Sequence, residues 1–203
     1  DYERAHALAE SAVTELQDDS ALSVPLSEAL LLRATLDMLM GRRGRALADL
    51  TRVAESSLGS RELRVNALIK RASIVMQDSQ DFAAVLAGFE RALALWPDCS
   101  DVFHHRGQIH LILDKGADAI RDLERAVALN PASSIAASQL VYSRYRLAQA
   151  QQDTSGMQAA LAQFEELARQ HKACVEVASL RGQALADTGQ FAEAEACFKR
   201  VAE

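Results

Sequence analysis

The stretch Phe89 to Pro97 reads FERALALWP, and 34 residues later Leu123 to Pro131 reads LERAVALNP. In both, a large apolar residue is followed three residues on by a small one, the helical spacing, and a proline ends the phrase because it cannot continue a helix. One helical phrase written twice at a fixed period means stacked units, each burying its apolar face only against its neighbours. The chain is therefore expected to present an extended binding surface rather than an active-site cleft.

Working outward from the echo, a 34-residue period belongs to the tetratricopeptide architecture, in which two antiparallel helices, A and B, form each unit. Small residues at positions 8 and 20 let the helices approach, and a large and a small apolar residue at 24 and 27 fill the next interface. The unit 100–133 fits with Phe103, Gly107, Ala119, Leu123, Ala126 and Pro131, although His110 stands at position 11 where the pattern has tyrosine. The unit 64–97 supplies Leu68, Arg71, Ala72, Phe82, Phe89, Ala92 and Pro97, with one extra residue that lengthens its first helix. Leu30, Arg33, Ala34, Gly41, Ala46, Leu50 and Val53 place a unit at 27–56, and Arg181, Gly182, Phe191, Ala194, Phe198 and Val201 place another at 174–203. Between them lies an irregular unit, 134–173, with a longer first helix, a polar connection QQDTSG (Gln151 to Gly156) and a second helix marked by Ala160, Phe164 and Leu167. Ala5, Ala9 and Ala12 make 1–17 a half repeat. The expectation is an all-α tetratricopeptide-repeat superhelical solenoid of about eleven antiparallel helices forming one array over 1–203. Turns are expected at Val24-Pro25, Asp98, Lys115-Gly116, Pro131 and Thr188-Gly189.

Composition agrees. The 203 residues are 49% hydrophobic but only 5% aromatic, with three prolines, the profile of an Ala/Leu-rich helical array. A net charge of −6 offers no basic field to a phosphate backbone, so nucleic acid is not an expected partner. Cys99, Cys174 and Cys197 form no CxxC pair and leave one unmatched in any pairing, which favours a reducing compartment. Arg33 and Arg71 interrupt the best apolar runs, so no membrane span is expected. A helical pattern already under way at Asp1 reads as a fragment of a longer protein.

No chemistry is expected. His6, His104, His105, His110 and His171 lack the i, i+4 spacing of a metal pair, and the adjacent His104 and His105 should point apart. There is no glycine-rich phosphate loop or nucleophile elbow, nor strands to carry either, so neither catalysis nor a cofactor is expected. The recurring Arg33, Arg71, Arg106 and Arg181 are read as stems covering the seam between helices A and B, with guanidinium groups reaching water or carbonyls. Met38 and Met76, each late in a first helix, suit either core filling or an adaptable surface.

Positions 2, 5, 6, 9, 12 and 13 of helix A face the concave side in this architecture, which lists the peptide-binding candidates. They are Asp101, His104, His105, Gln108 and Leu111 in one unit, Gln139, Tyr142 and Tyr145 in the irregular unit, and Glu176, Ser179, Gln183 and Asp187 in the last. Apolar and aromatic groups mixed with Asp101, Glu176 and Asp187 suit an amphipathic segment with a basic face. The Lys, Asn and Arg clamp that holds chaperone tails ending in Glu-Glu-Val-Asp is absent from these positions, with Asn66 and Lys70 isolated.

RVNALIKRAS (Arg64 to Ser73), DVFHHRGQIHLILDKGADAIRDLERAVALNP (Asp101 to Pro131), YRLAQAQQDTSGMQAALAQFEEL (Tyr145 to Leu167) and RGQALADTGQFAEAE (Arg181 to Glu195) resemble the seventy-kilodalton import receptors of the mitochondrial outer membrane. The HHRGQ string and the irregular unit carry the resemblance, which fades before about Ser27. It implies a receptor domain that binds mitochondrial precursor proteins, notably carriers with internal targeting signals, in a concave groove, and passes them to other translocase subunits. It further implies cytosolic chaperones docked on N-terminal repeats outside this fragment, a membrane anchor likewise outside it, and a place on the cytosolic face of the outer membrane. Two other readings stay open: a tetratricopeptide scaffold or chaperone adaptor, and the substrate-recruiting arm of an enzyme.

Overall fold

Helix follows helix through the computed structural model, which describes residues 2–16, 24–56 and 59–202, the last two of them by backbone alone. Among these residues there are eleven helices and no strand: α1 (Tyr2–Leu16), α2 (Val24–Leu39), α3 (Arg43–Glu55), α4 (Arg61–Asp78), α5 (Phe82–Leu95), α6 (Ser100–Ile112), α7 (Gly116–Leu129), α8 (Ser134–Ala150), α9 (Thr154–Gln170), α10 (Val175–Asp187) and α11 (Phe191–Ala202). They form two compact units, Asp1–Asp98 and Cys99–Glu203. Residues 1, 17 and 203 of the expected repeats, and the side chain of Val201, lie outside the described set.

Each A-to-B turn carries one residue in the left-handed region: Gly41, Gln80, Asp114, Gln152 and Gly189. At four of these turns the next residue's amide reaches back five residues, as in Arg42 to Asp37, Lys115 to His110, Asp153 to Ala148 and Gln190 to Leu185, at 2.7 to 2.9 Å. Such bonds satisfy carbonyls that the helix end leaves open. Glycine takes this conformation without cost at two turns; Gln80, Asp114 and Gln152 take it against a penalty of about 1 kcal/mol each. The Lys115-Gly116 turn signal is thereby corrected, since the left-handed residue is Asp114 and Gly116 is already the first residue of α7. Val24-Pro25 is corrected as well: both open α2, where proline's missing N–H has no partner to lose. Side-chain caps from Ser60, Asp81, Ser133 and Asp153 fix the starts of α4, α5, α8 and α9.

In the first unit, consecutive helices pack pairwise from α1 to α5, with α2 also against α4. The half-repeat helix α1 buries His6, Ala9 and Val13. His6 Nε2 lies 2.9 Å from Oδ1 of the fully buried Asp37, Arg45 donates to the other carboxylate oxygen at 3.0 Å, and Arg45 also donates to Glu10 at 3.1 Å. A charge network therefore seats α1 on α2 and α3. In the second unit, α6 with α7, α8 with α9 and α10 with α11 form hairpins, α7 and α8 pack together, and α10 lies against α8 and α9. The irregular hairpin absorbs its extra residues into longer helices, 17 residues each for α8 and α9 against 13 and 14 for α6 and α7. Only 151–153 stand between α8 and α9, so half of the expected polar connection is helical.

The arginine seams differ from expectation. Arg33 grips Asp49 through two bonds of 2.8 Å, and Arg106 grips Asp122 through bonds of 2.9 and 2.7 Å. Both pairs span 16 residues, joining the A helix to the B helix of one hairpin. The guanidinium groups therefore find carboxylates, because the antiparallel register places an aspartate, just before the large apolar residue of helix B, opposite the arginine of helix A. Beside the second clamp, Gly107 admits helix B closely: a Cβ there would stand 2.9 Å from Cγ of the fully buried Leu123.

Candidate functional site

Helices α6, α8 and α10 are the A helices of the second unit, and α8 packs against both others. Two groups of polar side chains cross them. In the first, Gln139 on α8 donates Nε2–H to Glu176 Oε1 on α10 at 3.1 Å. Gln139 also interacts with His104 on α6, and Gln139 Oε1 and His104 Nε2 are both buried without a well-formed hydrogen bond among the described residues. Burial, followed by the neighbouring His105, holds His104 below the ordinary histidine range, while Gln139, Asp101 and Glu176 pull it upward. The histidine is therefore neutral near pH 7, with buried polar capacity to spare.

His105 and Gln108 are joined within α6 at 3.0 Å, between Nδ1 and Oε1. The rings of His104 and His105 do not point apart as expected: their centroids lie 4.9 Å from each other, both half-buried. Backbone spacing alone separates adjacent Cβ atoms, but side-chain torsions bring these two rings together. Asp101 is exposed at the first turn of α6, and Leu111 is half-buried near its end.

The second group centres on α8. The Tyr142 and Tyr145 rings stack at 6.4 Å, and the Tyr142 hydroxyl is the main support of the Arg146 guanidinium, with Asp187 and Asp114 adding attraction. Tyr145 is fully buried among Val141, Ala160, Phe164 and Ala184, so its ring belongs to the core and not to the ligand surface for which it was expected. The reason lies in the length of α8, whose later turns run between α9 and α10, where position 12 turns inward. Its hydroxyl has no hydrogen-bond partner among the described residues, and burial, then the charge of Asp187, raises its pKa. Gln139, 6% exposed, is likewise a floor residue whose amide orients Glu176. A cavity of about 150 Å³ opens beside Tyr142, lined also by Leu111, Asp114, Gly116 and Arg146.

Of the expected residues, the structure thus gathers His104, Gln139 and Glu176 in one row and Tyr142, Tyr145 and Asp187 in another. Ser179 is half-buried and Gln183 exposed on α10, following Glu176 by about one and two turns. Asp114 was missed, because it enters the face from the turn after α6 and not from a helix position. Carboxylates predominate along the face, Asp101, Asp114, Glu176 and Asp187 against Arg146, so a cation is favoured there. Among the described residues, no group of three His, Cys, Asp or Glu side chains could hold a metal ion.

A tetratricopeptide repeat family matches residues 175–203. Over 86% of its length the chain is 37% identical to the human mitochondrial import receptor subunit TOM70, covering 29% of that protein. The crystal structure of yeast Tom70 is 25% identical with a TM-score of 0.74, over 98% of this chain and 38% of the yeast chain. A tetratricopeptide repeat protein from Parabacteroides merdae, 17% identical, shares the fold with a TM-score of 0.70, over 99% of this chain and 72% of its own. The chain spans less than a third of the human receptor's length. With the helical repeats and the shared sequence together, the chain is a tetratricopeptide-repeat protein similar over most of its length to the mitochondrial import receptor subunit TOM70.

Proposed function

We propose that this chain is a precursor-holding segment of a mitochondrial import receptor, binding amphipathic or hydrophobic segments of carrier-type precursors along the A helices of its second unit. The observation that carries the reading is the juxtaposition of His104, Gln139 and Glu176 across three helices, beside a cavity walled by Tyr142 and Leu111. Apolar burial supplies affinity there, and the carboxylates select a basic flank. The work is binding without catalysis. The repeats at 27–56, 64–97, 100–133, 134–173 and 174–203, with the half repeat 1–17, act in this reading as one array. Hand-over to other translocase subunits at the cytosolic face of the outer membrane, and chaperone docking on repeats outside this chain, complete the proposal. No described helix is long and apolar enough to cross a membrane.

Fluorescence anisotropy with a carrier-derived peptide, a basic presequence peptide and a chaperone C-terminal tail tests the reading. The carrier peptide should bind best, and Glu176→Lys should weaken it by about 1 kcal/mol, roughly fivefold. Preference for the chaperone tail would instead favour an adaptor module.

A further inference from the structure

One arginine seam, in the first unit, lacks its carboxylate. At the place of Asp49 and Asp122, immediately before the large apolar residue of helix B, the α4–α5 hairpin carries Gly88, just ahead of Phe89. Its arginine is still present: Arg71 precedes Ala72 as Arg33 precedes Ala34 and Arg106 precedes Gly107. A Cβ built on Gly88 meets nothing within 4 Å, so the space occupied by a carboxylate in the other two hairpins is open. A cavity of about 250 Å³ lies there, lined by Arg71, Arg91, Gly88 and the apolar Leu68, Val75 and Ala84. Among the described residues, neither Arg71 nor Arg91 has an ion-pair or hydrogen-bond partner.

We propose that this cavity is a carboxylate-binding subsite which takes the acidic side chain of a polypeptide segment, the ligand's carboxylate completing the clamp that Asp49 and Asp122 complete internally elsewhere. The argument for a carboxylate is geometric, since the arginine at this position in two other hairpins of the same chain is aimed so that both of its bonds fall on one. Arg91 adds a second positive charge at the rim, and the apolar wall receives the methylene stem of a glutamate, which a free inorganic anion lacks. The site lies wholly on α4 and α5, and does not depend on the peptide face of the second unit.

Titration of the isotopically labelled full chain with the peptide acetyl-Leu-Glu-Leu-amide, followed by amide NMR, tests this. Shifts should concentrate at Ala84, Ala87 and Gly88, and the glutamine analogue should bind about tenfold more weakly. Gly88→Asp should abolish the shifts while leaving the melting temperature equal or higher, because it supplies the missing carboxylate from within; Arg71→Gln should abolish them by removing the donor. Equal binding of the glutamine peptide, undiminished binding to Gly88→Asp, or a response to inorganic phosphate alone would overturn the proposal.

Discussion

Removing the carboxylate of Asp122 tests the internal clamp most sharply. Its side chain is 6% exposed, accepts bonds of 2.9 and 2.7 Å from Arg106, and lies 3.1 Å from His110 Nδ1. Breaking a buried pair by deleting one partner costs about 3–5 kcal/mol, chiefly because the remaining charge is stranded. Arg106 retains some access to water at 16% exposure, which places Asp122→Ala at the low end, about 3 kcal/mol. For a chain of 203 residues that is a fall in melting temperature of about 6–12 °C. Urea denaturation of Arg106→Gln, Asp122→Asn and the double variant would isolate the pairwise energy, expected at about 2 kcal/mol. A coupling below about 0.5 kcal/mol, or an Asp122→Ala variant melting within about 2 °C of the parent, would refute the clamp as a stabilising device.

Gly107→Ala should destabilise by about 1–3 kcal/mol in the same assay, because the new Cβ meets the branch point of buried Leu123; Gly182→Ala should cost less, since it meets the ring edge of the 44% exposed Phe198, which has room to turn outward. Asp37→Asn should raise hydrogen exchange throughout α1, which a role confined to α2 would leave unchanged. Burial lowers the pKa of native His104, so below the ordinary value of 6.5 the unfolded chain binds more protons than the native one. Stability should therefore fall on acidification through that value, and His104→Asn should flatten the slope between pH 7.5 and 5.5; an unchanged slope would sink the assignment.

Helix identity was legible because Phe89 and Leu123 repeat an apolar face whose spacing depends only on the helix itself. The seam was not read, although Arg33 with Asp49 and Arg106 with Asp122 stand at one spacing, because a pair separated by 16 residues gains meaning only once the antiparallel register is known. The left-handed turns at Gln80, Asp114 and Gln152 carry no glycine to announce them; backbone bonds closing the helix ends hold them. On the candidate face, position counting placed His104, Gln139 and Glu176 together across three helices, since those positions fall within the regular part of each A helix. The same counting failed at Tyr145, where the longer α8 is enclosed by α9 and α10 and a surface position becomes core.

Site-specific photo-crosslinking with a carrier-derived peptide bears most directly on the central claim. A photoreactive residue at Gln183, exposed on α10, should capture the peptide, and one at Arg121, exposed on the B helix α7, should not. Capture from Arg121 with none from Gln183 would contradict a binding face on the A helices.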